Sequence, residues 1–354
     1  MTTVRLYSHH LAASEGVVPW LVDQQVTLIL ATGNRLWVVG VDHQGRLEVT
    51  ERPFEGAGPL SWSGDRLLVT GLWRLWSLVE APAHRTDGYE RLLLPQTAHT
   101  VGSVGMTDVA VTDAGPVLVS SMFNCLAVPD PVRSIRPVWT PPWTTALVAE
   151  NRCYLTGVAV DNGRAAYLTS ASTSDVSEGW KDEVLGGGVL VATDGRIVAG
   201  DLTLPRNPRV GPGGEVVLLD SGTGRLLRVD PATGIVEELF RVPLLLAGLD
   251  LCGPYAVLGA GAPTDPPVPG LPVAEVPVAD HADLPRQGAL IVDRASGRLV
   301  GSLAFQGLVG PVEGVAVIPG GTRASLASPR GLTAQTQVSL DAEEELFRPG
   351  PSES

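Results

Sequence analysis

The sequence predicts an all-β protein, a six-bladed β-propeller closed by N- and C-terminal strands in one blade, and three observations predict it. Helical periodicity is nearly absent, while short Val, Leu and Ile runs bounded by Gly, Asp and Pro recur along the 354 residues. Six segments share one outline, an alternating triplet, a Gly or Asp-Gly turn and a second apolar strand: "GPLSWSGDRLLV", "TDVAVTDAGPVLV", "TGVAVDNGRAAYL", "NPRVGPGGEVVLL", "AGLDLCGPYAVL" and "EGVAVIPGGTRASL". They begin near Gly58, Asp108, Gly157, Pro208, Gly248 and Gly314. Successive starts lie about fifty residues apart for three intervals, then about forty and sixty-five, the spacing of propeller blades with one long insertion.

Each copy needs an outer pair of strands, and a second motif supplies it in "RLWVVGVDHQGRLEV", "GGVLVATDGRIVAG", "RLLRVDPATGIVEEL" and "ALIVDRASGRLVGSL". The Asp-x-x-Thr/Ser-Gly loop in the last two ends on the residue that reaches positive φ without a steric penalty, as a hairpin turn requires. Counting four strands to a blade closes at six only if "EGVAVIPGG" joins "VTLILATGNRLWVVG" from the other end of the chain. Such closure leaves no unpaired sheet edge. The Pro- and Ala-rich stretch over 261–288 is an excursion between strands of one blade, expected to lie across a face, and the sequence leaves open whether it serves as a lid. One propeller domain over 1–335 is expected, followed by an acidic, mobile tail over 336–354.

Composition narrows the function. A hydrophobic content of 44% with 18% charged residues suits a large core. A net charge of −13 with no basic tract repels a phosphate backbone, so no nucleic-acid partner is expected. The N-terminus lacks a charged segment followed by an apolar one, and no apolar run reaches membrane-spanning length, so the expectation is a cytoplasmic protein with no membrane partner. Cys125, Cys153 and Cys252 are odd in number and lie in apolar runs, as reduced core thiols do.

In a propeller the innermost strands line a central channel, and the residues that start them crowd its mouth. Those starts hold Thr107, Asp108, Tyr154, Thr156, Arg206, Asn207, Arg209 and Glu313. Asp108, Thr156 and Asn207 also suit a plain role, bonding backbone at strand starts. Tyr154, Trp139, Trp143 and Trp180 suit packing between blades, although Trp143 is also nominated to contact a ligand. Arg206 and Arg209 flank Asn-Pro, and an Arg facing a channel is costly unless it meets a carboxylate or an anionic ligand. "GGG" at 186–188 precedes a strand and so is no dinucleotide cradle, and the His residues are dispersed. No metal or other cofactor is expected.

The chain resembles an uncharacterised bacterial propeller family, through "MTDVAV", "FNCLAV", "RPVWTPPWTTALVAENRCYLTGVAV", "TSDVSEGW", "GGGVLV", "LPRNPRV" and "DSGTGRLLRVD", from about Trp20 to about Gly320. That resemblance implies occasional association with tetratricopeptide repeats or sulfotransferase-like partners. It also implies His where this chain has Thr107, Tyr154 and Arg206, an imidazole set that would suit a transition metal and that is replaced here. "CYLTG" then occupies a ligand-bearing position, and "TSDVSEGW" is expected to be blade architecture.

Three functions remain open. One is a metal-independent enzyme of cyclase, isomerase or hydrolase type acting on a small molecule in a biosynthetic pathway. Asp108 or Glu313 would be its base, Tyr154 its acid and Arg206 or Arg209 its anion holder, with Thr107, Thr156, Asn207 and Trp143 as further substrate contacts. Another is a non-catalytic propeller that binds a small ligand or a partner enzyme of the same pathway. The third is a calcium-dependent lactonase-like hydrolase using the oxygens of Asp108, Asn207 and Glu313.

Overall fold

A computed structural model describes residues 2–6, 9–81, 88–262, 270–275, 284–307, 309–327, 329 and 331. The chain opens with a hairpin of β1 (Thr2–Leu6) and β2 (His9–Ala13), followed by helix α1 (Val17–Gln24). Then come β3 (Val26–Ala31), β4 (Gly33–Val41) and β5 (Leu47–Ala57). Blade 2 is β6 (Leu60–Ser63), β7 (Arg66–Thr70), β8 (Arg74–Glu80) and β9 (Arg91–Thr100). Blade 3 is β10 (Met106–Thr112), β11 (Gly115–Ser120), β12 (Cys125–Pro129) and β13 (Ile135–Trp139). Blade 4 holds β14 (Leu155–Asp161), β15 (Arg164–Ser170), the single helical turn α2 (Trp180–Glu183), β16 (Gly188–Ala192) and β17 (Ile197–Leu202).

Blade 5 is β18 (Pro205–Val210), β19 (Val216–Asp220), β20 (Arg225–Val229) and β21 (Val236–Arg241). Blade 6 is β22 (Leu245–Cys252), β23 (Tyr255–Gly261), β24 (Gln287–Asp293) and β25 (Arg298–Gln306). The chain then supplies β26 (Gly314–Pro319) and β27 (Ala324–Leu326). The result is a six-bladed β-propeller, with each inner strand against that of the next blade.

Closure works as the repeat count requires. β26 is the innermost strand of blade 1 and pairs antiparallel with β3, Gly314 against Ala31 through Pro319 against Val26. The second half of the sixth copy departs from the sequence expectation. Instead of following β26 into blade 1, Ala324–Leu326 runs parallel to Arg91–Leu93 on the outer edge of blade 2. At the other end β2 pairs with β25 and β1 with β2, extending blade 6 outward. Both chain ends thus cover blade edges that would otherwise lie open.

The strands read as nearly continuous apolar runs because both faces of every blade are buried. In β3, Leu28 and Leu30 face blade 6 in one core, while Ile29 and Ala31 face blade 2 in another. Comparable cores fill each remaining gap between blades. Near the axis the inner strands approach so closely that a Cβ at Gly157 would strike Pro208 and the backbone of Asn207, and one at Gly314 would strike the Gly58 carbonyl. Among the described residues no helix is long and apolar enough to cross a membrane. The 261–288 excursion does interrupt blade 6 between β23 and β24. Much of it, and the 336–354 tail, lies outside the described residues.

Candidate functional site

The site begins with a backbone irregularity that recurs at the start of four inner strands. The register with the second strand shifts at Thr107, at Thr156, at Asn207 with Pro208, and at Ala247 with Gly248. A bulge re-aims the side chain it carries, here toward the neighbouring blade. Thr107 Oγ1 donates to the Leu155 carbonyl at 2.8 Å, Thr156 Oγ1 to the Pro205 carbonyl at 2.5 Å, and Asn207 Oδ1 accepts the Gly248 N–H at 2.9 Å. Those three polar side chains sew blades 3 to 6 together.

Asp108 and Arg209 meet inside the channel. Asp108 is fully buried, and its carboxylate takes two guanidinium bonds, Oδ2 to Nη1 at 2.9 Å and Oδ1 to Nη2 at 3.2 Å. Burial pulls the Arg209 guanidinium down, but the Asp108 charge outweighs it and holds the group above the ordinary arginine value. Asp250, in the inner strand of blade 6, adds a second, half-buried carboxylate whose charge Arg209 also feels. Its oxygens accept the N–H groups of Leu251 and Val317 at 2.9 and 2.8 Å. Burial pushes its pKa up, against the pull of the Val317 N–H and Arg209. On the far side of this charged layer the channel opens into a cavity of about 280 Å³, lined by Ser61, Trp62, Ser63, Val160, Arg209 and Asp250.

The upper mouth holds the other three nominated groups. Arg206 Nη2 donates to Tyr154 Oη at 2.9 Å, and the guanidinium carbon lies 5.9 Å from the phenol ring centroid. Tyr154 stacks on Trp180 with centroids 4.4 Å apart and planes 18° apart. It adopts left-handed backbone geometry, φ 53°, as does Leu204 before the next inner strand. Such residues cost roughly 1–3 kcal/mol and persist where surrounding structure dictates them. Here the Trp180 N–H donates to the Arg152 carbonyl at 3.0 Å, and Arg152 in turn holds Asp175 at 2.8 Å. "TSDVSEGW" is therefore architecture with a purpose, since it seats the indole on which Tyr154 rests. Glu313, which leads into the inner strand of blade 1, is an exposed residue at the mouth. The surrounding protein raises its pKa by desolvation, opposed by the Arg206 charge. The described part of the excursion, Leu271 and Val273, packs with Leu204, Trp180, Tyr154 and Leu245 beside that mouth.

The ring is thus divided. Tyr154, Arg206 and Glu313 gather at the mouth, while Asp108 and Arg209 neutralise each other deeper in the channel. Trp143 lies in neither place: it packs with Trp139 in the core between blades 3 and 4, as the commoner role of such aromatics anticipates. Sequence reasoning missed Asp250, whose only signal is an acid in the middle of an otherwise apolar inner strand. The oxygens of Asp108, Asn207 and Glu313 form no cage, because the first holds Arg209 and the second a backbone N–H. Among the described residues no three His, Cys, Asp or Glu side chains converge.

A family model described as a domain of unknown function (DUF4915) matches residues 15–326. No curated protein matches the chain. Among solved structures, the chain is similar to one from a crystal structure of a nidogen/laminin complex, with a TM-score of 0.53 and 13% identity over 83% of this chain and 98% of that one. A protein of unknown function from Bacteroides caccae is similar with a TM-score of 0.50 and 9% identity, over 83% of this chain and 99% of the other. At such identities the likeness is one of fold.

Proposed function

The chain belongs to the DUF4915 family, and from that premise, which brings a fold and no assigned activity, we propose that it is a metal-independent enzyme performing acid/base chemistry on a small oxo- or carboxylate compound at the upper mouth of the channel. One observation carries the reading: the Arg206 guanidinium bonds the Tyr154 oxygen at 2.9 Å, and its charge also reaches Glu313, a carboxylate whose pKa is raised by desolvation. Because Tyr154 Oη accepts from Arg206, its own proton is free to point at a substrate oxygen. The remaining N–H groups of Arg206 are suited to a carboxylate or a developing enolate.

Glu313 supplies the base. A carboxylate whose pKa is raised toward the working pH is a better proton acceptor than an ordinary one. In an isomerase-type step it takes a proton from the carbon next to a carbonyl, while Tyr154 gives its proton to the carbonyl oxygen. Reversal at another carbon returns both protons. The proposed setting is a bacterial biosynthetic pathway in the cytoplasm, beside a partner enzyme. The replacement of family imidazoles by Tyr154 and Arg206 belongs to the same proposal, as conversion from metal ligation to proton transfer, while the third replacement, Thr107, ties blade 3 to the Leu155 carbonyl.

The test is proton exchange in D₂O, followed by NMR on a panel of small 2-oxo acids. Exchange is expected in the unaltered protein. Tyr154→Phe and Arg206→Ala are each expected to lower it by roughly 10²-fold or more, with melting temperatures nearly unchanged. A non-catalytic ligand-binding module is the second reading, favoured by the charged layer of Asp108, Arg209 and Asp250, whose charges are committed to one another below the mouth. Saturable binding that depends on Arg206 without any exchange would decide for it.

A further inference from the structure

A second candidate site lies away from the axis. Between blades 1 and 2, at the end where the inner strands begin, a cavity of about 640 Å³ is walled by Phe54 and Glu55 of blade 1 and by Leu72, Trp73, Arg74 and Trp76 of blade 2. That size suits a small organic ligand. "GLWRLW" supplies five of the eleven lining residues, with Pro329 and Gly331 also in the wall, and the turn between β7 and β8 leaves Leu72 64% and Trp73 37% exposed. Beneath them Phe54 and Trp76 meet edge to face, with centroids 5.8 Å apart at 74°.

Arg74 is the informative member. Its guanidinium lies 4.0 Å from the Trp73 ring centroid and 5.8 Å from that of Trp76, half-buried between two indoles. Nearby, Arg35, Arg46, Arg91 and Arg323 hold the carboxylates of Glu51, Asp42, Glu80 and Glu48, and Arg52 bonds the carbonyls of Leu326 and Glu51. Among the described residues Arg74 has ring faces for partners and no carboxylate. Ring faces satisfy part of the charge and leave the N–H edge unused. Glu55, exposed at the rim with its own negative charge, disfavours a ligand with a second anionic group.

We propose that this cavity binds a planar aromatic monocarboxylate, its ring against Trp76 and Phe54 and its carboxylate on Arg74. The site is independent of the channel mouth and of the acid/base reading given to it. Stacking on the aromatic floor supplies affinity, and the guanidinium fork supplies selectivity for an anion over an isosteric neutral molecule.

The experiment uses the full chain and two probes of equal shape, 2-naphthoate and 2-naphthamide, titrated by calorimetry. Naphthoate is expected to bind at least about tenfold more tightly than the amide. Arg74→Gln should abolish that preference, and Trp73→Ala or Leu72→Glu should weaken naphthoate binding, with circular dichroism unchanged. Arg206→Ala should leave both affinities as they are. Absence of naphthoate binding, equal binding of the two probes, or a preference that survives Arg74→Gln would overturn the assignment. Loss of binding in Arg206→Ala would overturn it too, by moving the ligand to the channel.

Discussion

Asp108 of blade 3 and Arg209 of blade 5 join hands across blade 4 and grip it on the way. Their side chains are 2.9 Å apart, and both reach Val158 between them: Asp108 Oδ2 accepts its N–H at 3.2 Å, and Arg209 Nη1 donates to its carbonyl at 3.3 Å. Three consecutive blades are tied by one ion pair. Asp250 repeats half of the device, taking the N–H of its own successor Leu251 and that of Val317 in the next blade.

Breaking this pair on one side strands a buried charge. Asp108→Ala should therefore destabilise the protein by about 3–5 kcal/mol, the usual cost of leaving one partner of a buried pair alone. The double variant Asp108→Leu with Arg209→Met should recover much of that loss. Chemical denaturation of the three proteins measures both effects, and a single variant as stable as the parent would deny the pair its structural role.

Asp250 makes a pH prediction. Its carboxyl starts from 3.8 in the unfolded chain and is raised in the folded one, chiefly by burial. A raised pKa means that the folded state holds its proton more tightly. Its contribution to stability is complete below pH 3.8 and is lost as pH rises through the higher folded value. Asp250→Asn should remove this dependence, so its stability relative to the parent should improve as pH rises from acid toward neutral. Denaturation midpoints at a series of pH values give the slope, and an opposite sign would contradict the assignment.

The three thiols should react in a set order. Burial pushes Cys125 up to about 12, and Cys153 is raised by the same cause. Cys252 is raised as well, yet only half-buried. Iodoacetamide on the native protein at pH 8 should modify Cys252 first, leaving Cys125 and Cys153 to react on unfolding. Peptide mapping by mass spectrometry reads the order directly.

Closure gives the last prediction. Removing residues from Gly310 onward deletes the inner strand of blade 1 and the short parallel strand on blade 2. Buried Val315, Ala316 and Ile318 go with it, and β3 is left with an open edge facing the axis. Loss of a cooperative thermal transition is expected. A truncated chain that melts like the parent would mean that blade 1 stands without β26.

Much of the fold was legible because each blade repeats a local code. Runs such as "VAVTDAGPVLV" encode a strand, a turn and a strand within a dozen residues, and "DPATG" and "DRASG" carry the Gly that the turn needs, at Gly234 with φ 75° and Gly297 with φ 67°. The same Asp residues confirm the turn by accepting the N–H groups of Ala232 and Ala295. The path of Ala324–Leu326 was not legible, since the short segment Ala-Ser-Leu after a Gly-Gly turn suits either blade and only the exposed edge of β9 selects one.

By itself the sequence determined how many blades there are and which strands are innermost, because these follow from local pattern and the period of its repetition; around the axis it passed over Asp250 and nominated Trp143, which packs between blades. Tertiary structure alone decided which ring members remain available for chemistry. Thr107, Thr156 and Asn207 satisfy backbone groups of the next blade, and Asp108 neutralises Arg209, while Arg206 donates to Tyr154 at the mouth and its charge reaches Glu313. Residues up to about a hundred positions apart become neighbours only when the ring closes, and hydrogen-bond satisfaction and charge pairing at that point are properties of the closed ring.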